Sequence, residues 1–441
     1  MKLTFLGGVC LPQNKNTANS EIEKLPLPAK VYISLAQAGL MCSPRVKIGD
    51  IVDKGQVIAD DVSGNGCPVH SSVSGTVENV ETGDYGHIVI VNDFEERLSK
   101  NITPIDKTIT ELTLDNVIDI CRKAGIVGIG GDTVPVYEKL SVCRDNIKCI
   151  IADGTECETY LNANRCVLTE QTDKVLNGLK ILAKVLNTDK AYIAVDDRHR
   201  GIAKDIEKKT ETSSLFKVGV LKAKYPQSDE RMLVCSLASK SLGAELEPYK
   251  EGYLVLNAET VTKIFDAVVY GMPHIEETVS VGGDCVRENK VLSVRLGTPV
   301  TDLIDYCGGL MREPKKVIFG SSMRGRAQDR IDAPTVKGTN AVVVLSRKNI
   351  IDYDRMGNCI RCGRCFEHCP MRLMPNRLYA LAEKGKVDKC KKYNILDCNE
   401  CGICSYVCPA SIPLAQKIRD AKTVIVAGAE ERFQTEEMEG E

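Results

Sequence analysis

Cys359-Ile-Arg-Cys362-Gly-Arg-Cys365-Phe-Glu-His-Cys369-Pro370 and, further on, Cys398-Asn-Glu-Cys401-Gly-Ile-Cys404-Ser-Tyr-Val-Cys408-Pro409 are two copies of one pattern. Each reads Cys-x2-Cys-x2-Cys-x3-Cys-Pro, the spacing that holds a pair of [4Fe–4S] clusters in bacterial iron–sulfur modules. Three thiolates that share one cubane must recur every third residue in a tight loop. The fourth cysteine opens a helix that crosses to the other cluster, and the proline after it fixes the turn. The expected ligand sets are therefore Cys359, Cys362, Cys365 and Cys408 for one cluster, and Cys369, Cys398, Cys401 and Cys404 for the other. Gly363 and Gly402 allow the backbone to come close, so that amide N–H groups can bond the sulfides and tune the potential. Structural zinc would use paired Cys-x2-Cys knuckles, with neither the third in-step cysteine nor the Cys-Pro.

Around this module lies a chain of 441 residues with 20 cysteines. That length implies roughly three domains. Met1–Cys10 holds too short an apolar run for a signal peptide and meets Gly7-Gly8 at once. No stretch approaches the roughly 18 apolar residues of a membrane-spanning helix. The expected location is the cytoplasm, with no membrane insertion of the chain's own. Most of the twelve cysteines outside the two motifs are expected as small buried core residues rather than disulfides. Charge is balanced, 58 Lys and Arg against 60 Asp and Glu, which gives no electrostatic argument for nucleic acid or an anionic membrane.

Residues 27–95 read as short strands separated by glycine-rich turns, at Lys30–Ser34, Arg45–Val46, Gln56–Ala59, Gly75–Val80 and His87–Val91. The phrases PRVKIGDIVDKGQVIADD and SVSGTVENV look like half-barrels of the lipoyl/biotinyl kind. Carriers of that kind present a modifiable lysine between the phrases. No lysine occurs here between Lys54 and Lys100, so a structural β domain is expected. From about 110 helices and strands alternate: a helix at Asp115–Ala124, a strand at Lys148–Ala152, a helix at Glu170–Leu186, a strand at Lys190–Ala194 and a helix at Gly201–Thr210. That succession implies an α/β layer with a mostly parallel sheet. Residues 275–340 return to short strands. The tail after Ala429 has six Glu and one Arg in twelve residues and is expected to be disordered.

The α/β part is where a redox donor would sit. Gly125–Leu140, GIVGIGGDTVPVYEKL, is a glycine loop with Lys139 beyond it. Such a loop lets backbone N–H groups approach a phosphate or a flat ring, and a lysine can reach the phosphate. Ala152–Arg165, ADGTECETYLNANR, places Asp153, Glu156 and Glu158 at a strand end, where open α/β sheets bind ligands. Leu256–Val261 adds Asn257 and Thr260.

These three segments, in this order ahead of a two-cluster module, resemble the C subunit of the Rnf electron-transport complex. More distantly they resemble the NADH-binding flavin subunit of respiratory complex I. The likeness runs through FLGGVCLPQNK, AGIVGIGG, ECETYL, LKAKYPQSDERML, RLGTPVTDLIDYCGGL and LDCNECGICSYVCPASIPL. It implies a multidomain α/β plus β fold: a barrel-sandwich hybrid domain (1–105), an FMN- and NADH-binding α/β domain (106–270), a β-grasp (SLBB) domain (271–340), a two-cluster ferredoxin-like domain (341–429) and an acidic tail (430–441). It also implies FMN contacts at Gly128, Gly130, Gly131, Lys139, Glu156, Glu158, Asn257 and Thr260, and electron flow between NADH and the clusters.

The chain departs from the family at several positions. Val134 replaces the aromatic that would stack on nicotinamide, and Asp132 brings a carboxylate to the loop. Cys10 stands where a histidine is usual, and is read as a candidate redox thiol. Met323-Arg324-Gly325-Arg326 replaces a more apolar segment. These features resemble the Rnf-C-like protein associated with D-proline reductase in amino-acid-fermenting clostridia. The expected function is thus electron transfer from NADH or another donor, through FMN and two clusters, to a partner reductase, with D-proline reductase as the leading partner. Two alternatives stand beside it: a subunit of the membrane Rnf NAD:ferredoxin oxidoreductase, held at the membrane by the other Rnf subunits, and a scaffold whose α/β domain has lost its flavin.

Overall fold

The computed structural model describes residues 3–14, 21–37, 39–61, 66–83, 85–104, 108–130, 133–144, 146–243 and 246–439. Near the N-terminus, Lys30–Ser34, His87–Asn92, Gly75–Glu81 and Ile51–Val52 form an antiparallel sheet in that spatial order. A second sheet joins Ser43–Pro44, Val57–Asp60 and Val69–His70. Strand Lys30–Ser34 alternates buried and half-buried residues, as a sheet with one wet face requires. Val31, Ile33, Ile58, Ile88 and Ile90 fill the space between the two sheets. The strand expected at Arg45–Val46 lies two residues earlier, at Ser43–Pro44, and the Arg45 amide still donates to Ile58 of the facing strand at 2.8 Å.

The α/β domain is built on a four-stranded parallel sheet, ordered Phe216–Leu221, Ala191–Asp196, Cys149–Asp153 and Tyr253–Asn257. Cys149–Asp153 is buried throughout, as a central parallel strand covered on both faces must be. The chain runs outward from it through two strands on one side and then returns to the other. The sheet therefore reverses direction between Cys149–Asp153 and Tyr253–Asn257, and ligands of open α/β sheets sit at such a switch point. In the register Asp153 pairs with Asn257, so both lie at the carboxyl edge of that crevice. The long helix expected at Glu170–Leu186 forms over Thr172–Val185, and a separate, unexpected helix, Ala163–Glu170, precedes it. The Thr172 hydroxyl donates to the Leu168 carbonyl at 2.5 Å, a local bond that competes with the ladder at the break.

A six-stranded sheet follows, ordered Ile22–Lys24, Lys290–Arg295, Glu276–Gly282, Ala341–Leu345, Lys316–Phe319 and Arg326–Gln328. It corrects the expected boundary at 340. Ala341–Leu345 is fully buried between two strands of this sheet and belongs with it, not with the cysteine-rich domain. The N-terminal strand Ile22–Lys24 pairs in parallel with Lys290–Arg295 at the sheet's edge.

The cysteine-rich part folds as short helices, Arg364–Glu367, Pro375–Glu383, Val387–Lys391 and Ile403–Tyr406, closed by a helix over Leu414–Glu439. That last helix runs on into the acidic tail expected to be disordered. The physical reason lies in composition: Ala, Glu, Gln and Met are good helix formers, and no Gly or Pro interrupts them between Gly428 and Gly440. Among the described residues no helix is long and apolar enough to cross a membrane.

Candidate functional site

Cys359, Cys362, Cys365 and Cys408 line one cavity, with Asn376 and Tyr379 beside them. Cys369, Cys398, Cys401 and Cys404 form a second group. Burial pushes the Cys398, Cys401 and Cys404 thiols up, and the nearness of Cys369 adds to each. Cys369 and Cys408 do not open helices as expected; each follows a short one, Arg364–Glu367 and Ile403–Tyr406, and each has changed sides.

Backbone N–H groups point at these sulfurs: Asn376 and Phe366 at Cys365, Leu373 at Cys369 (3.4 Å), Glu400 at Cys398 and Ile403 at Cys401. Four thiols ringing a cavity, with amides aimed at sulfur, suit a cluster of bridging sulfides. The two loops follow the same backbone path. Gly363 and Gly402 both have φ of 78°, Arg361 and Glu400 lie at 55° and 56°, and Arg372 and Ser411 at 58° and 50°.

A cleft of about 2110 Å³ opens at the switch point of the parallel sheet and reaches the second thiol group. Of the residues expected to contact FMN, Gly128, Gly130, Lys139, Glu156, Glu158, Asn257 and Thr260 all line it. Gly131 and Asp132 lie outside the described residues. The glycine loop is held by the helix Ala258–Tyr270 and by its own backbone: the Ile129 amide donates to Thr260 Oγ1 at 3.1 Å, and the Gly128 amide to the Val134 carbonyl at 2.9 Å. Gly130 has φ of 82°, and a Cβ there would lie 3.0 Å from Asn340 Nδ2. A loop whose Gly128 and Gly130 present no side chain to the cleft fits a flat polar ring.

The neighbouring side chains are mostly committed to one another. Asn257 Oδ1 caps the helix Ala258–Tyr270 by accepting from the Glu259 amide, and its Nδ2 donates to Asn164 Oδ1 at 3.0 Å. Glu156 Oε1 accepts from the Asn164 amide at 2.5 Å. Glu158 Oε2 accepts from the Met323 amide at 3.3 Å. Lys139 is ion-paired with Glu230 across the cleft, so the expected phosphate-binding ammonium already has an acidic neighbour. Burial raises the Asp153 carboxyl to about 6, against hydrogen bonds from Thr155 and Ser228 that lower it.

The cleft wall nearest the sulfurs is made of Cys398, Asn399 and Glu400. Three anchors hold that loop in place. The Tyr225 hydroxyl donates to the Cys401 carbonyl at 2.7 Å. Arg324 Nη2 donates to the Asn399 carbonyl and to Asp229 Oδ2, the latter at 3.1 Å, and Asn399 Nδ2 donates to the same Asp229 oxygen at 3.1 Å. Asp229 is itself the N-cap of helix Glu230–Ala238. On the far side the Gly8 amide donates to the His368 carbonyl at 2.9 Å.

Cys10, the candidate redox thiol, is exposed, with its sulfur 4.0 Å from the Ala223 carbonyl and no second thiol as a bonded neighbour. Among the other cysteines outside the motifs, Cys42, Cys67, Cys121, Cys143, Cys149, Cys157, Cys166, Cys285, Cys307 and Cys390 are buried and unbridged. Sequence reading missed Tyr225, Asp229, Arg324, Asn340 and Asn399 as parts of the site. Arg324 had a signal in its departure from the family segment, and Asn399 in its place between two ligand-spaced cysteines.

Comparison with known proteins divides the chain in the same way. Residues 3–94 match the RnfC barrel sandwich hybrid domain, 121–266 the Nuo51 FMN-binding domain, 278–327 the SLBB domain and 349–409 the 4Fe-4S dicluster domain. The cofactors are accordingly FMN and two [4Fe–4S] clusters, and the Nuo51-type domain is consistent with NADH as donor. The C subunit of the proton-translocating ferredoxin:NAD(+) oxidoreductase complex of Clostridium ljungdahlii is 38% identical over 90% of this chain and 88% of its own length. Its counterpart in the Na(+)-translocating ferredoxin:NAD(+) oxidoreductase complex of Acetobacterium woodii is 34% identical over 96% and 97% respectively. A solved NAD+-reducing [NiFe]-hydrogenase in the air-oxidized state superposes with a TM-score of 0.48, at 16% identity over 70% of this chain and 60% of its own.

Proposed function

The chain belongs to the RnfC family, the C subunits of ferredoxin:NAD(+) oxidoreductase complexes, and from that premise we propose that it carries electrons between NADH and a partner through FMN and two [4Fe–4S] clusters. The observation that supports this route is the shared wall: the loop Cys398–Glu400 lines the same cleft as the glycine loop and the two strand ends. We call the set Cys369, Cys398, Cys401 and Cys404 the inner ligands, and Cys359, Cys362, Cys365 and Cys408 the outer ligands.

FMN links a two-electron hydride donor to one-electron carriers. The protein's own residues supply placement. Thr260 and Val134 fix the glycine loop, while Asn257, Asn164 and Glu156 form a continuous chain of hydrogen bonds across the two strand ends. Lys139 and Glu230 form a neutral pair at the cleft edge, and an anionic phosphate seated there would draw the ammonium away from its carboxylate. Tyr225, Arg324 and Asn399 keep the inner loop against the cleft, so that its cluster and the flavin share one rigid frame. The relatives' names favour a ferredoxin:NAD(+) oxidoreductase complex, rather than D-proline reductase, as the assembly it serves. In that assembly the chain is a peripheral subunit.

Val134 is 38% exposed at the cleft and offers no aromatic face to a nicotinamide. Restoring one, in Val134→Phe combined with Asp132→Ala, should tighten apparent NADH affinity several-fold, since a stacking contact contributes roughly 0.5–1.5 kcal/mol. The test is anaerobic NADH titration of reconstituted protein, following flavin and cluster absorbance. Bleaching of both, at lower NADH in the double variant, supports the proposal. Protein that takes up no flavin, or flavin that NADH does not reduce, contradicts it.

A further inference from the structure

The chain's first described segment, residues 3–11, runs between two domains. Leu3 bridges Leu221 at the end of the edge strand Phe216–Leu221, and Val9 exchanges backbone bonds with Tyr225 at 3.0 and 2.8 Å. Between those two points the backbone turns against the cysteine-rich domain, where the Gly8 amide donates to the His368 carbonyl. Gly7 and Gly8 both have positive φ, 72° and 76°. A Cβ on Gly7 would lie 2.7 Å from the Cys369 carbonyl oxygen, and one on Gly8 would lie 2.7 Å from the Tyr225 carbonyl oxygen. Glycine alone suits a left-handed turn pinched in this way from two sides. Lys224 closes the turn from within. Its ammonium, on a residue 8% exposed, donates to the Gly7 carbonyl at 2.8 Å and to the Phe5 carbonyl, and lies 4.0 Å from the centre of the Phe5 ring.

Resting on the proposed route, we propose that residues 3–11 are a clasp in which Gly7, Gly8 and Lys224 are positioning residues. They fix the crossing ligand Cys369 against the flavin domain and so set the rate of electron transfer between the cleft and the inner cluster. Three observations separate this role from plain stabilisation. The turn meets the cysteine-rich domain through backbone, and Leu6 within it is 69% exposed, so little apolar surface is buried there. A buried ammonium is costly unless carbonyls satisfy it, and this one is committed to holding the turn. Two ligands of the inner set are reached through the one segment: Cys369 directly, and Cys401 through Tyr225, whose backbone pairs with Val9 and whose hydroxyl holds the Cys401 carbonyl. Functional constellations must be held to within about 0.5 Å. Relieving a 2.7 Å contact takes a shift of that order. The electron concerned leaves anionic reduced flavin and enters the oxidised inner cluster; no bond forms or breaks at the clasp.

The experiment uses the full chain with FMN and clusters reconstituted, reduced by NADH in an anaerobic stopped-flow and sampled by rapid freezing for paramagnetic resonance. In Gly7→Ala, Gly8→Ala and Lys224→Met the flavin should be reduced at the parental rate, while the inner cluster fills at least about tenfold more slowly. The inner signal should shift and the outer one should stay parental. Gly385→Ala is the control. Gly385 also has positive φ, 65°, but nothing among the described residues lies within 4 Å of its Cβ position. That variant takes the same backbone strain without the collision and should behave like the parent. Gly7→Ala that loses inner-cluster iron and keeps the outer also supports the clasp, because its contact is to Cys369. If both clusters were lost, Lys224→Met, which adds no atom at that contact, carries the test. An inner cluster that fills at the parental rate in both Gly7→Ala and Lys224→Met, or that slows equally in Gly385→Ala, would overturn the clasp. So would a lower melting temperature with transfer rate and inner signal unchanged. Parent protein whose flavin is reduced but whose clusters never fill would overturn the route instead.

Discussion

Around Gly363 and around Gly402 the backbone takes the same path to within a few degrees, yet the two loops live in different surroundings. Cys359 and Cys362 are exposed and flanked by arginines, whereas Cys401 is 7% exposed and is held by Tyr225. The loop geometry comes from the spacing of cysteine, glycine and proline, which is the same in both copies. The surroundings come from residues far away in the chain: Gly8, Tyr225, Asp229 and Arg324 all close on the second copy or its crossing cysteine. A duplicated motif has in this way become a directional pair, one centre facing the cleft and the other facing solvent. Local sequence sets what each loop can bind; tertiary contacts set which one faces the cleft.

The sharpest way to break the comparison is to remove one crossing ligand at a time. Cys369→Ser should abolish the inner cluster although it lies in the first motif, and Cys408→Ser the outer one although it lies in the second. Each variant should retain about four of eight irons, and the surviving paramagnetic signal should differ between them. If Cys369→Ser instead spared the inner signal, the two sets would not be crossed.

A smaller effect is expected from the anchors of the inner loop. Arg324→Ala leaves the Asp229 carboxylate, 7% exposed, short of its cationic partner. Losing a charge-assisted hydrogen bond at such a site costs about 1.5–3 kcal/mol. Urea unfolding should show that loss for Arg324→Ala, and a loss near zero for Arg364→Ala on the open loop. Equal losses would mean the two loops are anchored alike.

The least effect is expected from acidity. Burial holds Asp153 at about 6, so its carboxyl binds protons more readily folded than unfolded, and the folded state loses stability as pH rises from about 4 through 6. Asp153→Asn removes that dependence. Thermal melts of the flavin-free protein should show the variant gaining on the parent at pH 8 relative to pH 4. An unchanged difference across that range would mean that Asp153 ionises as in the unfolded chain. Neither result should touch the outer loop.

Much of this molecule was legible in its residues. Alternation announced Lys30–Ser34, and apolar runs announced His87–Asn92 and Cys149–Asp153, because sheet pleat and layer burial write directly into local sequence. The eight cysteines announced themselves by spacing alone. What stayed hidden depends on long-range pairing. Ala341–Leu345 reads as an apolar run that either neighbouring domain could bury, and only strand register assigns it to the six-stranded sheet. The ion pair that Lys139 makes was hidden because Glu230, its partner, lies 91 residues away in the chain. Tyr225 lies within the stretch LKAKYPQSDERML and Arg324 within a departure from the family, but their role exists only once the inner loop has folded against them.

The directional pair is tested most directly by the order in which the centres fill. Rapid-freeze quenching after mixing with NADH, read by paramagnetic resonance, would follow the inner cluster in Cys408→Ser and the outer cluster in Cys369→Ser. The account predicts that the inner cluster fills at the parental rate when the outer one is missing, and that the outer cluster fills far more slowly when the inner one is missing. An outer cluster reduced at the parental rate without the inner one would contradict it.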